Sequence, residues 1–154
     1  MLDELRDLYQ EVILDHGKDP RNFRKPDNAN CEAAGHNPLC GDKLVVYLSV
    51  DESNIVQDAA FLGNGCAISM ASASMMTEII RGKTKTEAEE LFRRFHEMCT
   101  SDEEADFSED EDVERLMVLS GVRQFPVRVK CATLAWHTMD AALKGEEEAT
   151  TERW

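Results

Sequence analysis

The chain has 154 residues, 42% of them apolar and 31% charged, with a formal net charge of −14; this is the size and balance of one compact domain that can bury its own core. No run approaches the roughly 20 apolar residues of a membrane span. The acid excess leaves no basic footprint for nucleic acid or an anionic bilayer.

The charge is uneven. Residues 102–114 hold nine acidic residues and no basic one, and residues 146–154 hold four acidic and one basic. Removing −9 and −3 leaves about −2 for the rest, so the body is nearly neutral. The acidic run reads as a solvated loop, with steering of a basic partner protein as the alternative. The opening Met1-Leu2-Asp3-Glu4-Leu5-Arg6-Asp7 mixes both signs and lacks the plan of a secretion signal, which makes the cytoplasm the expected compartment.

In chain order, Leu2, Leu5, Leu8, Tyr9, Val12 and Ile13 recur at helical spacing before Gly17, predicting an amphipathic first helix. Residues 18–30, with Pro20 and Pro26, read as an extended loop. A short strand is expected at Glu32–His36, a second at Leu44–Val50, a turn at Asp51–Asn54 and a return strand at Ile55–Phe61. The period then changes: Ala67–Arg81 predicts a largely buried helix ended by Gly82. Thr86 with Glu89 predicts a capping box opening a helix over Glu87–Cys99. A short helix at Val113–Ser120 and a long one at Val127–Leu143, started by Pro126 and stopped by Gly145, complete the pattern. Strands first and helices afterwards give an α+β class, with a three-stranded antiparallel sheet packed by several helices. Residues 1–145 form one domain carrying an acidic insertion at about 100–114, and residues 146–154 are expected to be a frayed tail.

Five cysteines, an odd number with no paired framework, argue for free or metal-bound thiols in a reducing compartment. In Cys40-Gly41-Asp42 the glycine permits a turn that aims both flanking side chains at one point. Taken alone, though, the triplet favours a buried thiol beside a turn residue. Cys66 follows Gly63-Asn64-Gly65 and opens a helix, where unpaired N–H groups and the helix dipole stabilise a thiolate; alone it leaves both readings open. Cys131 follows Arg128 and Lys130 at a helix start, where positive charge favours the anionic sulfur, yet by itself it reads as a core cysteine. Together the three sites offer three thiols and a carboxylate, a soft set suited to zinc or an iron–sulfur cluster. Cys31 and Cys99 lack such surroundings. Of the histidines only His36 is a distant ligand candidate, and Met70, Met75 and Met76 read as core packing.

These three signatures in this order, with the opening His16-Gly17-Lys18-Asp19-Pro20-Arg21-Asn22-Phe23, resemble the U-type iron–sulfur assembly proteins (IscU, SufU and the NifU N-terminal domain) over nearly the whole chain. The likeness is greatest to the SufU branch. The other branch carries a histidine directly before the last cysteine, where this chain has Lys130. That branch also has a Leu-Pro-Pro-Val-Lys chaperone-docking motif, where this chain reads Gln124-Phe125-Pro126-Val127-Arg128. The segment from about Gly82 to Ser120 resembles the SufU insertion. The resemblance implies a zinc ion held by Cys40, Asp42, Cys66 and Cys131, and a partner cysteine desulfurase, a pyridoxal-phosphate enzyme of the SUF type. Cys40 would accept its persulfide sulfur for downstream iron–sulfur assembly proteins, with Arg128 and Lys130 orienting the partner or tuning the site. The alternatives are a scaffold that assembles an iron–sulfur cluster, with iron or the cluster in place of zinc, and a structural zinc module.

Overall fold

Alternation along the strands decides the sheet. In β1 (Cys31–Asn37) Ala33, Gly35 and Asn37 are buried while their neighbours Glu32, Ala34 and His36 are exposed, the period of a strand with one covered face. In the computed structural model, which describes residues 2–100 and 111–150 and side chains from residue 10 onward, β1 pairs antiparallel with β2 (Asp42–Val50), from Cys31 opposite Leu48 to Asn37 opposite Asp42. β2 pairs antiparallel with β3 (Val56–Asn64), from Val50 opposite Val56, past an irregularity at Ser49, to Lys43 opposite Asn64.

The α+β class and the three expected strands are present, but the sheet is not purely antiparallel. A fourth strand, β4 (Glu148–Thr150), pairs parallel with β1 and gives the mixed order β3-β2-β1-β4. Part of the segment expected to fray is therefore a strand, while residues 151–154 lie outside the described residues. The reason is the open edge of β1, a row of backbone groups that needs a partner. The Ala34 amide donates to the Glu147 carbonyl at 2.8 Å. Three residues are too few to carry a period of their own in the sequence.

Two helices cover one face of the sheet. α2 (Ala67–Ile80) and α5 (Pro126–Leu143) are buried on most sides, and Leu44, Val46, Leu48 and Phe61 of the sheet share a core with Met76, Ile80, Leu134 and Trp136. The Trp136 indole donates to Ser72 Oγ at 3.2 Å and that hydroxyl donates to the Ala132 carbonyl, tying α2 to α5. α1 (Leu2–Lys18) lies against α2, joined by His16 Nδ1 to Ser74 Oγ at 2.8 Å. The side chains of Leu2, Leu5, Leu8 and Tyr9 lie outside the described ones. The following loop lies along β3, where Phe23 bridges Phe61 and meets its ring edge-on at 5.2 Å.

α3 (Lys85–Thr100) begins earlier than the sequence predicted. The capping box is formed by Thr84 and Glu87, not by Thr86 and Glu89. Thr84 N donates to Glu87 Oε1 at 3.0 Å and Glu87 N to Thr84 Oγ1 at 3.1 Å. Both pairs have the required spacing, and the preceding chain selects between them. Val56 N donates to the Lys83 carbonyl and Lys85 N to the Asn54 carbonyl, so the backbone stays pinned beside β3 until Thr84. The short helix expected at Val113–Ser120 is split into α4 (Glu111–Leu116) and a 3-10 helix over Met117–Gln124. Most of the acidic run lies outside the described residues, but Asp112 near its end pairs with Lys83 Nζ at 2.6 Å. No described helix is long and apolar enough to cross a membrane.

Thr84→Ala should lower stability by about 1 kcal/mol in urea titration, whereas Thr86→Ala, at an exposed position, should be near neutral; the reverse order would restore the later helix start. His137 on α5 meets Phe92 of α3 edge-on at 4.7 Å, and burial, reinforced by His96, pushes its pKa down to about 3. The unfolded chain therefore takes up a proton first, so this contribution to stability is whole above about 6.5 and is lost as pH falls toward 3. Measured with chelator present, His137→Phe should flatten the stability–pH slope between those limits, and an unchanged slope would contradict it.

Candidate metal centre

Antiparallel register gathers the three signatures at one end of the sheet. Because Asn37 faces Asp42 and Lys43 faces Asn64, the β1–β2 turn and the passage from β3 into α2 lie side by side. The turn is closed by Cys40 N donating to the Asn37 carbonyl at 3.3 Å, with Pro38 as its second residue, a position whose dihedral proline pre-sets. Gly41 then takes φ +72°, in the left-handed region that a side chain disfavours. This presents Cys40 to solvent while Asp42, the first residue of β2, is fully buried.

Asp42 is held from two sides. Cys66 N donates to its Oδ1 at 2.9 Å and Asn37 Nδ2 donates to its Oδ2 at 3.1 Å. The approach from Cys66 needs Gly65, since a Cβ there would stand 2.8 Å from Asp42 Oδ1 and 3.1 Å from Ser69 Oγ. Cys66 is the N-cap of α2, its sulfur accepting from Ser69 N at 3.5 Å. Cys131 comes from the second turn of α5, is 2% exposed, and its Sγ lies 3.2 Å from Cys40 Sγ.

The ligand atoms of Cys40, Asp42 and Cys131 all lie within 4.8 Å of one another, and Cys66 interacts with both Cys131 and Asp42. Three of the four residues that the sequence singled out thus bring their ligand atoms together; Cys66 Sγ falls outside that 4.8 Å group, and its backbone amide contacts Asp42. The neighbouring Cys131 thiol, with the Ser69 amide, pulls the Cys66 pKa down to about 6 against the opposing effects of burial and Asp42. The same contact, burial and the neighbouring Cys40 push Cys131 upward.

Three sulfurs and one carboxylate are a donor set suited to a tetrahedral divalent ion. A zinc–sulfur bond of about 2.3 Å gives sulfur–sulfur edges of about 3.8 Å, longer than the 3.2 Å between Cys40 Sγ and Cys131 Sγ, so an ion would require the two sulfurs to part slightly. The buried Asp42 carboxylate and the Ser69 hydroxyl, which is buried with no partner among the described residues, are further signs of a polar pocket.

The other candidates stay outside. His36 points outward from β1, Cys31 lies in β1, and Cys99 is a core thiol pushed up to about 12 by burial. Met75 and Met76 are buried in the core. Arg128 is exposed with its guanidinium 4.9 Å from the centre of the Phe125 ring, and Lys130 is partly buried; both lie on the turn of α5 before Cys131 rather than among the ligands. Asn37 was missed. Its signal was a polar residue at an inward position of β1, three residues before Cys40.

The model of the NifU-like N terminal domain matches residues 8–109. The zinc-dependent sulfurtransferase SufU of Bacillus subtilis is 42% identical over 140 residues, covering 91% of this chain and 92% of that relative. The iron–sulfur cluster assembly scaffold protein IscU of Streptococcus pyogenes serotype M1 is 40% identical over 148 residues, covering 96% of this chain and 90% of the relative. Among solved structures, one described as an iron–sulfur cluster assembly scaffold protein for the SUF system of Fervidobacterium islandicum AW-1 superposes with a TM-score of 0.78. It is 36% identical and covers 86% of this chain and 94% of that one. With its signatures gathered at the end of a matching fold, the chain belongs to the NifU-like N-terminal domain family of iron–sulfur cluster assembly proteins, the family of IscU and SufU.

Proposed function

We propose that this protein is a zinc-dependent sulfur acceptor that takes persulfide sulfur from a SUF-type cysteine desulfurase, a pyridoxal-phosphate enzyme, for delivery to downstream iron–sulfur assembly proteins. The observation that carries this reading is the cluster of Cys40, Asp42 and Cys131 ligand atoms within 4.8 Å, with the Cys66 backbone amide hydrogen-bonded to Asp42 beside it. The name of the Bacillus relative supports the choice of zinc and of sulfur transfer. Held by Cys40, Asp42, Cys66 and Cys131, zinc supplies lasting deprotonation of the thiols without redox chemistry of its own.

The ligands are unequal, and the inequality assigns their roles. Cys131 is buried in α5, and Cys66, although exposed, is tied into the first turn of α2 as its N-cap, so these two anchor. Cys40 sits exposed on a turn, beside Leu39 at 62% exposure, and is the acceptor. Its thiolate attacks the outer sulfur of the desulfurase persulfide. A new sulfur–sulfur bond forms on Cys40 as the old one breaks, and the electron pair leaves on the desulfurase cysteine; there is no net oxidation. Arg128, exposed on the turn of α5 before Cys131, and Lys130 orient the desulfurase or tune the site. Five free cysteines among the described residues suit a reducing compartment, the cytoplasm.

The second reading, a scaffold that builds and hands on an iron–sulfur cluster, is favoured by the name of the Streptococcus relative and by the same thiolate set. Metal analysis of freshly purified protein should find one zinc per chain, and Cys66→Ala should lose it. Added to the cognate desulfurase, the protein should raise turnover, while Cys40→Ala should leave the rate at that of the desulfurase alone. Undiminished stimulation by Cys40→Ala would remove the acceptor role. Iron in the purified protein, with a cluster that transfers to an apo-protein after anaerobic reconstitution, would establish the scaffold instead.

A further inference from the structure

We propose that Asn37 is the positioning residue of the metal centre: one buried amide that sets the aspartate and the α5 cysteine in their places while its backbone closes the turn carrying the acceptor cysteine. The proposal rests on the zinc reading above and adds to it a residue outside the ligand set.

Asn37 is the last residue of β1 and is fully buried. Its side-chain amide donates to Asp42 Oδ2 at 3.1 Å and to Cys131 Sγ at 3.5 Å. Its carbonyl accepts from Cys40 N at 3.3 Å. One residue therefore contacts three of the four proposed ligands, which come from two separate stretches of the chain. A carboxylate has two oxygens with about four lone-pair sites, so hydrogen bonds to some of them orient the group and leave the others open to a metal. Here Cys66 N holds Oδ1 and Asn37 holds Oδ2, which leaves the carboxylate no freedom to rotate. Outer hydrogen bonds of this kind orient ligands and tune their donor strength. The N–H donated to Cys131 Sγ also withdraws electron density from that sulfur, which an apolar side chain of the same shape could not do.

A structural role alone predicts a general loss of stability, whereas positioning predicts an effect that runs through Asp42. The two are separated by zinc affinity, measured in competition with a chelator, for the wild type, Asn37→Ala, Asp42→Ala and the double variant. Asn37→Ala should weaken zinc by about 10- to 100-fold, and much less when Asp42 is already alanine. Cobalt(II) in place of zinc gives a readout that mere stability does not move. The thiolate-to-cobalt charge-transfer band of Asn37→Ala should shift to lower energy, because the Cys131 sulfur has lost its donor. Asn37→Ser should behave alike and covers a failure of the alanine variant to fold.

A folded variant with wild-type affinity and an unshifted band would overturn the assignment. So would an equal loss in both Asp42 backgrounds, or unfolding of both variants even at saturating zinc. If the wild type itself binds no stoichiometric zinc, the reading of the metal centre fails and this proposal falls with it. A wild type that binds zinc beside indifferent Asn37 variants sinks the positioning role alone.

Discussion

A carboxylate removed from water must be fully hydrogen-bonded or charge-compensated, and the site is organised around meeting that demand at Asp42. Its two oxygens are reached by a backbone amide from one direction and a side-chain amide from another. Each of those donors belongs to a segment that also brings a cysteine. The amide is that of Cys66 itself, and the side chain is that of Asn37, which closes the turn of Cys40 and touches Cys131. Satisfying one buried acid therefore fixes the relative positions of three thiols. The hydrogen bonds are short-range, but their consequence is the geometry of the whole centre.

The sheet makes those bonds possible. β1 and β2 end in register at Asn37 and Asp42, and β3 ends at Asn64 opposite Lys43, one residue short of Asp42, before Gly65 leads into α2. α5 is then laid over the same strands by core packing of Leu134 and Trp136, which places Cys131 above the turn although it is 91 residues from Cys40. The hydrophobic core therefore determines where the fourth ligand arrives, and the polar contacts adjust it by fractions of an ångström.

How much of this was legible in the sequence depends on how far each feature reaches. Strong periods, such as Leu44–Val50 or Ala67–Arg81, are local and gave strands and helices at nearly their observed positions. The glycines beside Cys40, Asp42 and Cys66 are local signals too, because tight turns and close approaches need glycine whatever lies across from them. By contrast, the Thr84 cap, β4 and Asn37 were invisible for a common reason. Two threonines compete equally for the cap until the edge of β3 pins the preceding residues. Three residues of strand mean nothing until the open edge of β1 is known, and an asparagine before a proline is an ordinary turn until its side chain is seen to face inward. Each is decided by a partner distant in sequence.

The inequality of the three thiols bears on the choice between carrier and scaffold. A scaffold needs its thiolates to act as a matched set, holding a cluster in one arrangement until release. A carrier needs one sulfur that can meet a partner and others that stay behind. The thiols are pushed in opposite directions, Cys66 downward and Cys131 upward, and Cys40 stands at the surface on a turn. A divalent ion entering this site would have to displace the thiol protons of the cysteines that hold it, so its affinity would be linked to pH. Loss of Cys40 from the ligand set would remove an exposed donor on a turn and leave the buried Cys131, the helix-capping Cys66 and the hydrogen-bonded aspartate in place. That division suits a centre built to lend out one sulfur at a time.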